Sequence, residues 1–373
     1  MLQHDINTLL LQLKDKGLFD ELANNPQLQF SADDQEFLFS ELLPERLVSQ
    51  NEFKESGIRF KTYMANDSTR YSPPVKRGNA FLSSTVVSLA DSDIAAELTM
   101  QAYESFIRTL QASPMQAVAN LLRFFETGVA MPLAILREKY RADIFDKGYI
   151  ERKGANQFYE LVKVPEIPGH RVTVLNWGDP QTSILSELKA LKRMMQQKGY
   201  KINKLITTSE IVEDYLVPNE EIKQYGLMVI NAAPGAGLQQ SIALPTMSEQ
   251  QIVLSALAAN SLPAPTIYDH GYDTLGQEED DPGYKKFLNN KIILVATTGR
   301  EQDVSLGDSM NLVLPNTLGY TAIGLATGQL QPGVRTKVEN FDGKDARIEA
   351  YGWQTTFPVL QDPEAYVVID VQG

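Results

Sequence analysis

Apolar residues recur at helical spacing over residues 5–24. Ile6, Leu9, Leu10, Leu13 and Leu18 sit among polar side chains until Asn24-Asn25-Pro26 stops the pattern. The spacing predicts an amphipathic helix whose apolar stripe is too short to be stable alone in water, so it reads as a docking arm. From Phe53 to Ala90 the period falls to two. Ile58, Phe60 and Thr62 alternate in one limb and Thr85, Val87 and Leu89 in the other, with Ser72-Pro73-Pro74 between them. This predicts a long two-stranded excursion with a polar tip, which carries Arg70, Lys76 and Arg77.

The helical period then returns. Asp91 is placed to cap a helix carrying Ile94, Leu98, Phe106, Ile107 and Leu110, and Ser113-Pro114 to open a second with its proline in the first turn. Val118, Leu121, Leu122 and Phe125 form one apolar stripe. Pro132 cannot donate to the carbonyl of Gly128, so a kink or restart is expected there before the helix runs on to about Asp146 and ends at Gly148.

Beyond it, Phe158 to Val164 and Arg171 to Leu175 are strand-like. A helix follows Asp179-Pro180, with Ile184, Leu188, Leu191 and Met195 on one face and Lys198-Gly199 closing it. Strands are predicted at Lys204 to Thr207, Thr266 to Tyr268 and Lys291 to Ala296, and helices at Ser209 to Leu216 and Ser248 to Asn260. A glycine loop spans Ala232 to Gly237 and an acidic loop Glu278 to Asp281. Late strands at Arg347 to Thr356 and Ala365 to Val371 are expected to return to the first lobe. The fold class is α+β, with no repeat and no low-complexity tract.

With 373 residues the chain exceeds the roughly 250–300 at which one core stops growing, so two packed lobes are expected. Cysteine is absent, which excludes disulfides, thiolate nucleophiles and thiolate metal sites and fits a reducing cytoplasm. The net charge of −13 disfavours a sequence-specific nucleic-acid reader, which needs a basic stripe to neutralise phosphates. No basic segment precedes an apolar stretch at the N-terminus, and no run of about 18 apolar residues occurs, so neither secretion nor a membrane span is expected.

Candidate chemistry is sparse. The histidines His4, His170 and His270 lie in separate neighbourhoods, and only His270, after Asp269, adjoins a carboxylate. Ala232-Ala233-Pro234-Gly235-Ala236-Gly237 lacks both the Lys-Ser/Thr of a phosphate loop and the third glycine of a dinucleotide fingerprint. Glu278, Glu279, Asp280 and Asp281 are consecutive and point apart, unlike a calcium loop. No Gly-x-Ser-x-Gly elbow occurs, so no catalytic residue, cofactor site or metal site is expected.

Two tracts carry a resemblance. Phe357-Pro358-Val359-Leu360-Gln361-Asp362-Pro363-Glu364-Ala365-Tyr366-Val367-Val368 is similar to the C-terminal ending of the lambda-type major capsid protein family of tailed bacteriophages. Tyr268-Asp269-His270-Gly271-Tyr272, followed by Lys286-Phe287-Leu288-Asn289-Asn290-Lys291-Ile292-Ile293-Leu294, resembles a strand, a variable loop and a Phe-Leu-Pro-Asp-x-x-Val strand entry of that family, with Asn289 in place of the proline. The order of elements agrees over roughly residues 51–373, and nothing before Asn51 is matched.

The resemblance implies a Hong Kong 97-like fold. Residues 1–50 would be an N-terminal arm, 51–90 the E-loop hairpin, 91–180 a P domain with the spine helix, 181–338 an A domain and 339–373 returning strands of the P domain. It implies a major capsid protein that assembles through hexamers and pentamers into a virion shell around double-stranded DNA, built in the bacterial cytoplasm. Its partners would be copies of itself, a portal protein, a scaffolding protein and, in some members, a cement protein, with no membrane.

Leu9, Leu10 and Leu13 of the arm and Arg70, Lys76 and Arg77 of the hairpin tip are then expected at subunit interfaces, and Gly235 and Gly237 in an axial loop. Lys76 and Asn79 lie near the tip, but nothing marks them as a cross-linking pair, and a scaffolding segment removed from the N-terminus is not expected. A nanocompartment shell protein of the encapsulin kind, and a cytoplasmic hydrolase or transferase using Asp269 and His270, are the alternatives.

Overall fold

The computed structural model describes residues 6–24, 37–60, 80–153, 159–164, 167–231, 248–274, 283–297, 317–341 and 346–371. Helices α1 (Ile6–Asp15) and α2 (Leu18–Asn24) are separated by Gly17, whose φ of +67° glycine adopts freely. Helix α3 (Leu38–Leu42) leads into β1 (Glu45–Leu47). Strands β2 (Glu52–Phe60) and β3 (Ala80–Ser88) pair antiparallel from Glu52↔Ser88 to Phe60↔Ala80, as the alternation predicts. The tip with Arg70, Lys76 and Arg77 lies outside the described residues.

Strand β4 (Ala90–Leu98) comes next, then α4 (Met100–Ala112), α5 (Pro114–Phe125), a π-helical turn (Glu126–Ala130) and α6 (Met131–Asp146). The helix expected from Asp91 thus begins only at Met100. Ile94, Ala96 and Leu98 turn inward while Asp91, Asp93 and Glu97 are exposed, a period of two that suits the ladder β4 makes with residues 348–356. The disturbance expected at Pro132 takes the form of the π turn, which absorbs the missing donor without ending the helix. Among the described residues, Pro114–Asp146 is the one helix long and apolar enough by composition to cross a membrane. Its last turns carry Arg137, Glu138, Arg141, Asp143 and Asp146, all buried within the chain.

The second half runs β5 (Tyr149–Lys153), β6 (Tyr159–Lys163), β7 (Arg171–Val174), α7 (Ile184–Gln197), β8 (Lys204–Thr207), α8 (Ser209–Ile211), α9 (Glu220–Asn231) and α10 (Glu249–Ala259). Strands β9 (Pro265–Ile267), β10 (Gly271–Asp273), β11 (Tyr284–Lys286), β12 (Lys291–Val295), β13 (Gly319–Ile323), β14 (Arg335–Phe341), β15 (Arg347–Leu360) and β16 (Tyr366–Val371) complete it.

Two mixed five-stranded sheets organise these elements. The first has the order β1-β13-β15-β14, with β4 also on β15; the second has the order β7-β16-β12-β8-β9. The lobe boundaries inferred from the resemblance therefore change. Strands β13 and β14, at residues 319–341, belong to the first sheet. Strand β7 and the last strand, β16, belong to the second. The reason is visible in β16: Val367 and Ile369 enter one core cluster and Tyr366 and Val368 another, so the strand is covered on both faces and must be central. Strand β12 divides likewise, with Ile292 and Leu294 on the α7, α9 and α10 side and Ile293 and Val295 on the α6 side.

In the first lobe the spine of α5, the π turn and α6 lies on β15. The approach is close: a Cβ on Gly352 would stand 2.3 Å from Val129 Cγ1. Leu10 and Leu13 are buried in the same cluster as Phe106, Leu110 and Phe125 of their own subunit, with Leu9 partly buried against it. Phe19 packs on Phe125 at 5.0 Å, and Asp20 accepts from the Thr336 hydroxyl at 2.8 Å. The expectation that Leu10 and Leu13 face a neighbour is corrected here, because their stripe is already spent on α4 and the spine. Truncating Phe19→Ala should accordingly cost the chain about 3–5 kcal/mol of unfolding free energy. Leu11→Ala, at an exposed position, should change it by less than about 0.5 kcal/mol. Urea melts decide; equal, small effects from both would return the arm to a neighbour.

Candidate functional site

Asp269 and His270, the residues of the catalytic alternative, make contacts that shape the fold. Asp269 accepts the backbone N–H of Ser209 at 3.0 Å, which orients the start of α8. His270 stacks edge-on to Tyr268 at 5.5 Å, and its carbonyl accepts from Phe287 N at 3.0 Å. His170 is buried, with Nδ1 2.7 Å from the Tyr366 carbonyl and Nε2 2.6 Å from Lys198 Nζ. Burial, and then Lys198, hold its pKa below the usual histidine value, so the neutral ring donates to the carbonyl and accepts from the lysine. An open, mostly apolar depression of about 470 Å³ lies over Val172, Val174, Trp177 and Leu191, and its Glu187 carboxylate is occupied by the Trp177 indole at 2.7 Å. Among the described residues no group of three His, Asp or Glu is arranged to hold a metal.

The most elaborate chemistry is structural and sits under the spine helix. Glu138 is wholly buried; its Oε1 accepts from Phe39 N at 2.8 Å and the Tyr268 hydroxyl at 3.0 Å, and its Oε2 from Arg141 at 3.2 Å. Arg141 also donates to Thr321 Oγ1 at 2.7 Å and Glu45 Oε1 at 2.9 Å. Arg137 reaches the same Glu45 oxygen at 2.8 Å and Gln354 Oε1 at 2.5 Å. Burial alone would raise the Glu45 carboxyl, but the two guanidiniums outweigh it and hold its pKa below the usual carboxylate range. Burial wins at Glu138, whose pKa is raised, and burial with the adjacent Glu138 pushes the Tyr268 phenol up, keeping it a donor.

A second junction closes the end of the spine. Arg171 of β7 donates to the carbonyls of Phe145 at 2.8 Å, Asp146 at 3.0 Å and Ile144 at 3.4 Å, placing a cation at a helix C-terminus. The Asp146 carboxylate accepts from the backbone N–H of Asn289 at 3.0 Å and from its side chain at 3.2 Å. The proline of the resembling motif has neither donor, so the departure at Asn289 has a role in this chain.

The expected interface residues fall into two sets. Leu9, Leu10 and Leu13 are brought into the core, whereas Arg70, Lys76, Arg77, Gly235 and Gly237 lie outside the described residues. At the hairpin base, Phe53 and Val87 join Tyr320, Ala322 and Val359 in a small cluster. The ion network was missed from sequence, although Arg137-Glu138-x-x-Arg141 interrupting an apolar helix is the mark it leaves.

No family model matches the chain, and no curated protein matches its sequence. The fold has solved counterparts. A prophage protein of Escherichia coli CFT073, assigned as a capsid protein, aligns with 13% identity and a TM-score of 0.54 over 96% of this chain and 98% of its own. The mature capsid of bacteriophage PhiM1 aligns at 8% identity and 0.46 over 92% and 89%. The holo-SrpI encapsulin complex of Synechococcus elongatus PCC 7942 aligns at 10% and 0.38 over 94% of each. The chain thus has the mixed α and β fold of that prophage protein from end to end.

Arg141→Met should destabilise the subunit by about 3–5 kcal/mol, because it leaves Glu138 buried and short of a partner. Arg141→Lys should not restore it, since one ammonium cannot span Thr321, Glu45 and Glu138. Denaturant melts measure both, and a near-neutral Arg141→Met would remove the network from the stability account. Glu45, with its depressed pKa, contributes stability that is present above the unfolded value near 4.5 and is lost as pH falls below it. Glu138, with its raised pKa, has the opposite sign. Glu45→Gln should therefore flatten the loss of stability on the acid side of 4.5; an unchanged acid limb contradicts the assignment.

Proposed function

We propose that the chain is the major capsid protein of a tailed bacteriophage, which assembles through hexamers and pentamers into an icosahedral shell around double-stranded DNA. The observation that carries this reading is the alignment with a prophage capsid fold over nearly the whole of both chains. A scaffold this size with its polar groups spent on internal contacts suits a building block better than a catalyst.

In this reading β2 and β3 are the E-loop, Pro114–Asp146 is the spine, the first sheet belongs to the P domain and the second to the A domain. Gly235 and Gly237 lie in the axial loop, where one sequence must tolerate both five-fold and six-fold rings. Portal, scaffolding and cement proteins are the further partners, and the virion is the site of action after assembly in the bacterial cytoplasm. The net charge of −13 keeps DNA from adhering to the wall. The exposed Leu11 remains on the arm's outer side for contacts with a neighbour.

Sedimentation velocity tests the reading: rings or larger particles should form and their yield should depend on salt, because contacts between exposed charges are screened over about 8–10 Å. A strict monomer at every salt and protein concentration contradicts it. Changing Arg70, Lys76 and Arg77 together to Glu should block or distort assembly while the melting temperature of the free subunit stays put; normal particles would make the tip a solvated turn.

A further inference from the structure

Two strand edges of this chain are matched to one another. Strand β7 is an edge of the second sheet. The backbone N–H of Val368 in β16 bonds to the His170 carbonyl at 2.8 Å, so by alternation Val172 and Val174 bond toward β16 and Thr173 turns its N–H and C=O to the outer edge. Along that edge lies the open depression of about 470 Å³. Val172, Val174, Leu191 and Ile369 line its apolar part, and the exposed Glu187, to which the Trp177 indole donates at 2.7 Å, puts a carboxylate at the end beyond Val174.

The second edge is β6. Its partner β5 is tied to α6 by Lys139, whose ammonium donates to the Glu151 carbonyl at 2.9 Å, so β6 is the outer strand of the pair. The N–H of Val164 bonds to the Gly148 carbonyl at 3.2 Å. By the alternation of an antiparallel ladder, Glu160 and Val162 then bond toward β5, and Tyr159, Leu161 and Lys163 present their backbone groups to the outer edge. The same three residues occupy the open face of this short hairpin, because Val162 and Ile150 of the other face enter the core. Tyr159 and Leu161 are 57% and 47% exposed, and Lys163 is exposed without an ion pair among the described residues.

One arrangement satisfies both edges. In a parallel pair the residues whose groups bond across lie opposite residues of the partner that do not, and opposed residues share a face. Setting β6 parallel to β7 therefore brings Tyr159 opposite Val172, Leu161 opposite Val174 and Lys163 beside Asn176. The two apolar side chains enter the depression, and the ammonium arrives at its Glu187 end. An antiparallel setting would send all three to the opposite face, where Arg171 already reaches the carbonyls that end the spine. The strand cannot come from the same chain: only Val164 to His170 joins β6 to β7, and a parallel connection needs about a dozen residues or more.

We infer that β6 of one copy adds in parallel to the β7 edge of a second copy, continuing the second sheet across the contact. The inference rests on the assembly proposed above in requiring like chains to meet. Main-chain hydrogen bonds hold the added strand, Tyr159 and Leu161 fix its register in the depression, and the pairing of Lys163 with Glu187 fixes its direction.

Two experiments on the full chain test it. Tyr159→Glu with Leu161→Glu should lower the yield of rings or particles about tenfold, because two carboxylates would have to enter an apolar depression. The urea midpoint of the free chain should stay put, since both side chains are exposed. Because the chain has no cysteine, the register has a direct readout. Lys163→Cys chains and Asn176→Cys chains, mixed before assembly and mildly oxidised afterwards, should link one of each into a covalent dimer and leave like chains unlinked. Normal particles from the double Glu variant, or oxidised particles without the mixed dimer, overturn the strand addition and leave the assembly proposal standing. A parent chain that stays monomeric at every concentration overturns both.

Discussion

Glu138 and Arg141 are both withdrawn from water, and they join three stretches of the chain far apart in sequence, around Phe39 and Glu45, at Tyr268 and at Thr321. Leaving one of them unpaired costs several kcal/mol, so the conformations in which α3, β1, β13 and the Tyr268 segment are misplaced are excluded together rather than one by one. Glu45 turns two buried arginines from a liability into a bridge, since both guanidiniums converge on one of its oxygens. The spine can be both apolar enough to seat on β15 and charged in its last turns because this network meets those charges.

From that constraint the two lobes become one body. The second sheet is buried on both faces, by α7, α9 and α10 on one side and by α6 with α3 on the other. Arg171 and Asn289 fasten the end of the spine to that sheet, and Asp20 and Asn24 fasten the arm to β14 in the first lobe. What remains outside this body is the long hairpin, anchored only at its base among described residues. An extended loop on a rigid body suits the repetitive association proposed above, where small contact energies multiply around a ring.

Much of this order was legible in the chain. The hairpin, the spine from Pro114 to Asp146, α7, α10 and β12 follow from period and punctuation, because each has a local cause. Strand β4 does not. Asp91 offers a capping signal, and its alternation is decided by β15, some 250 residues on, which no local pattern reveals. Strand β13 is buried throughout and so shows no alternation at all. Strand β16 was read as a strand but assigned to the wrong sheet, because a period of two reports exposure and not partner. Apart from the Glu138–Arg141 pair, the ion network spans separations of 92 to 217 residues, so only its charged triplet on an apolar helix is visible in the sequence. The arm's leucines form a stripe that needs a surface, and the same chain supplies one for Leu10 and Leu13.

In the proposed shell the chain completes its own core and keeps its hairpin for a neighbour. Electron microscopy of the purified full-length protein addresses that most directly. Closed shells or hexameric and pentameric rings, with the hairpin of each subunit lying across the adjacent one, are the predicted result. Discrete compact particles of a few chains, with each hairpin folded on its own subunit, would contradict it.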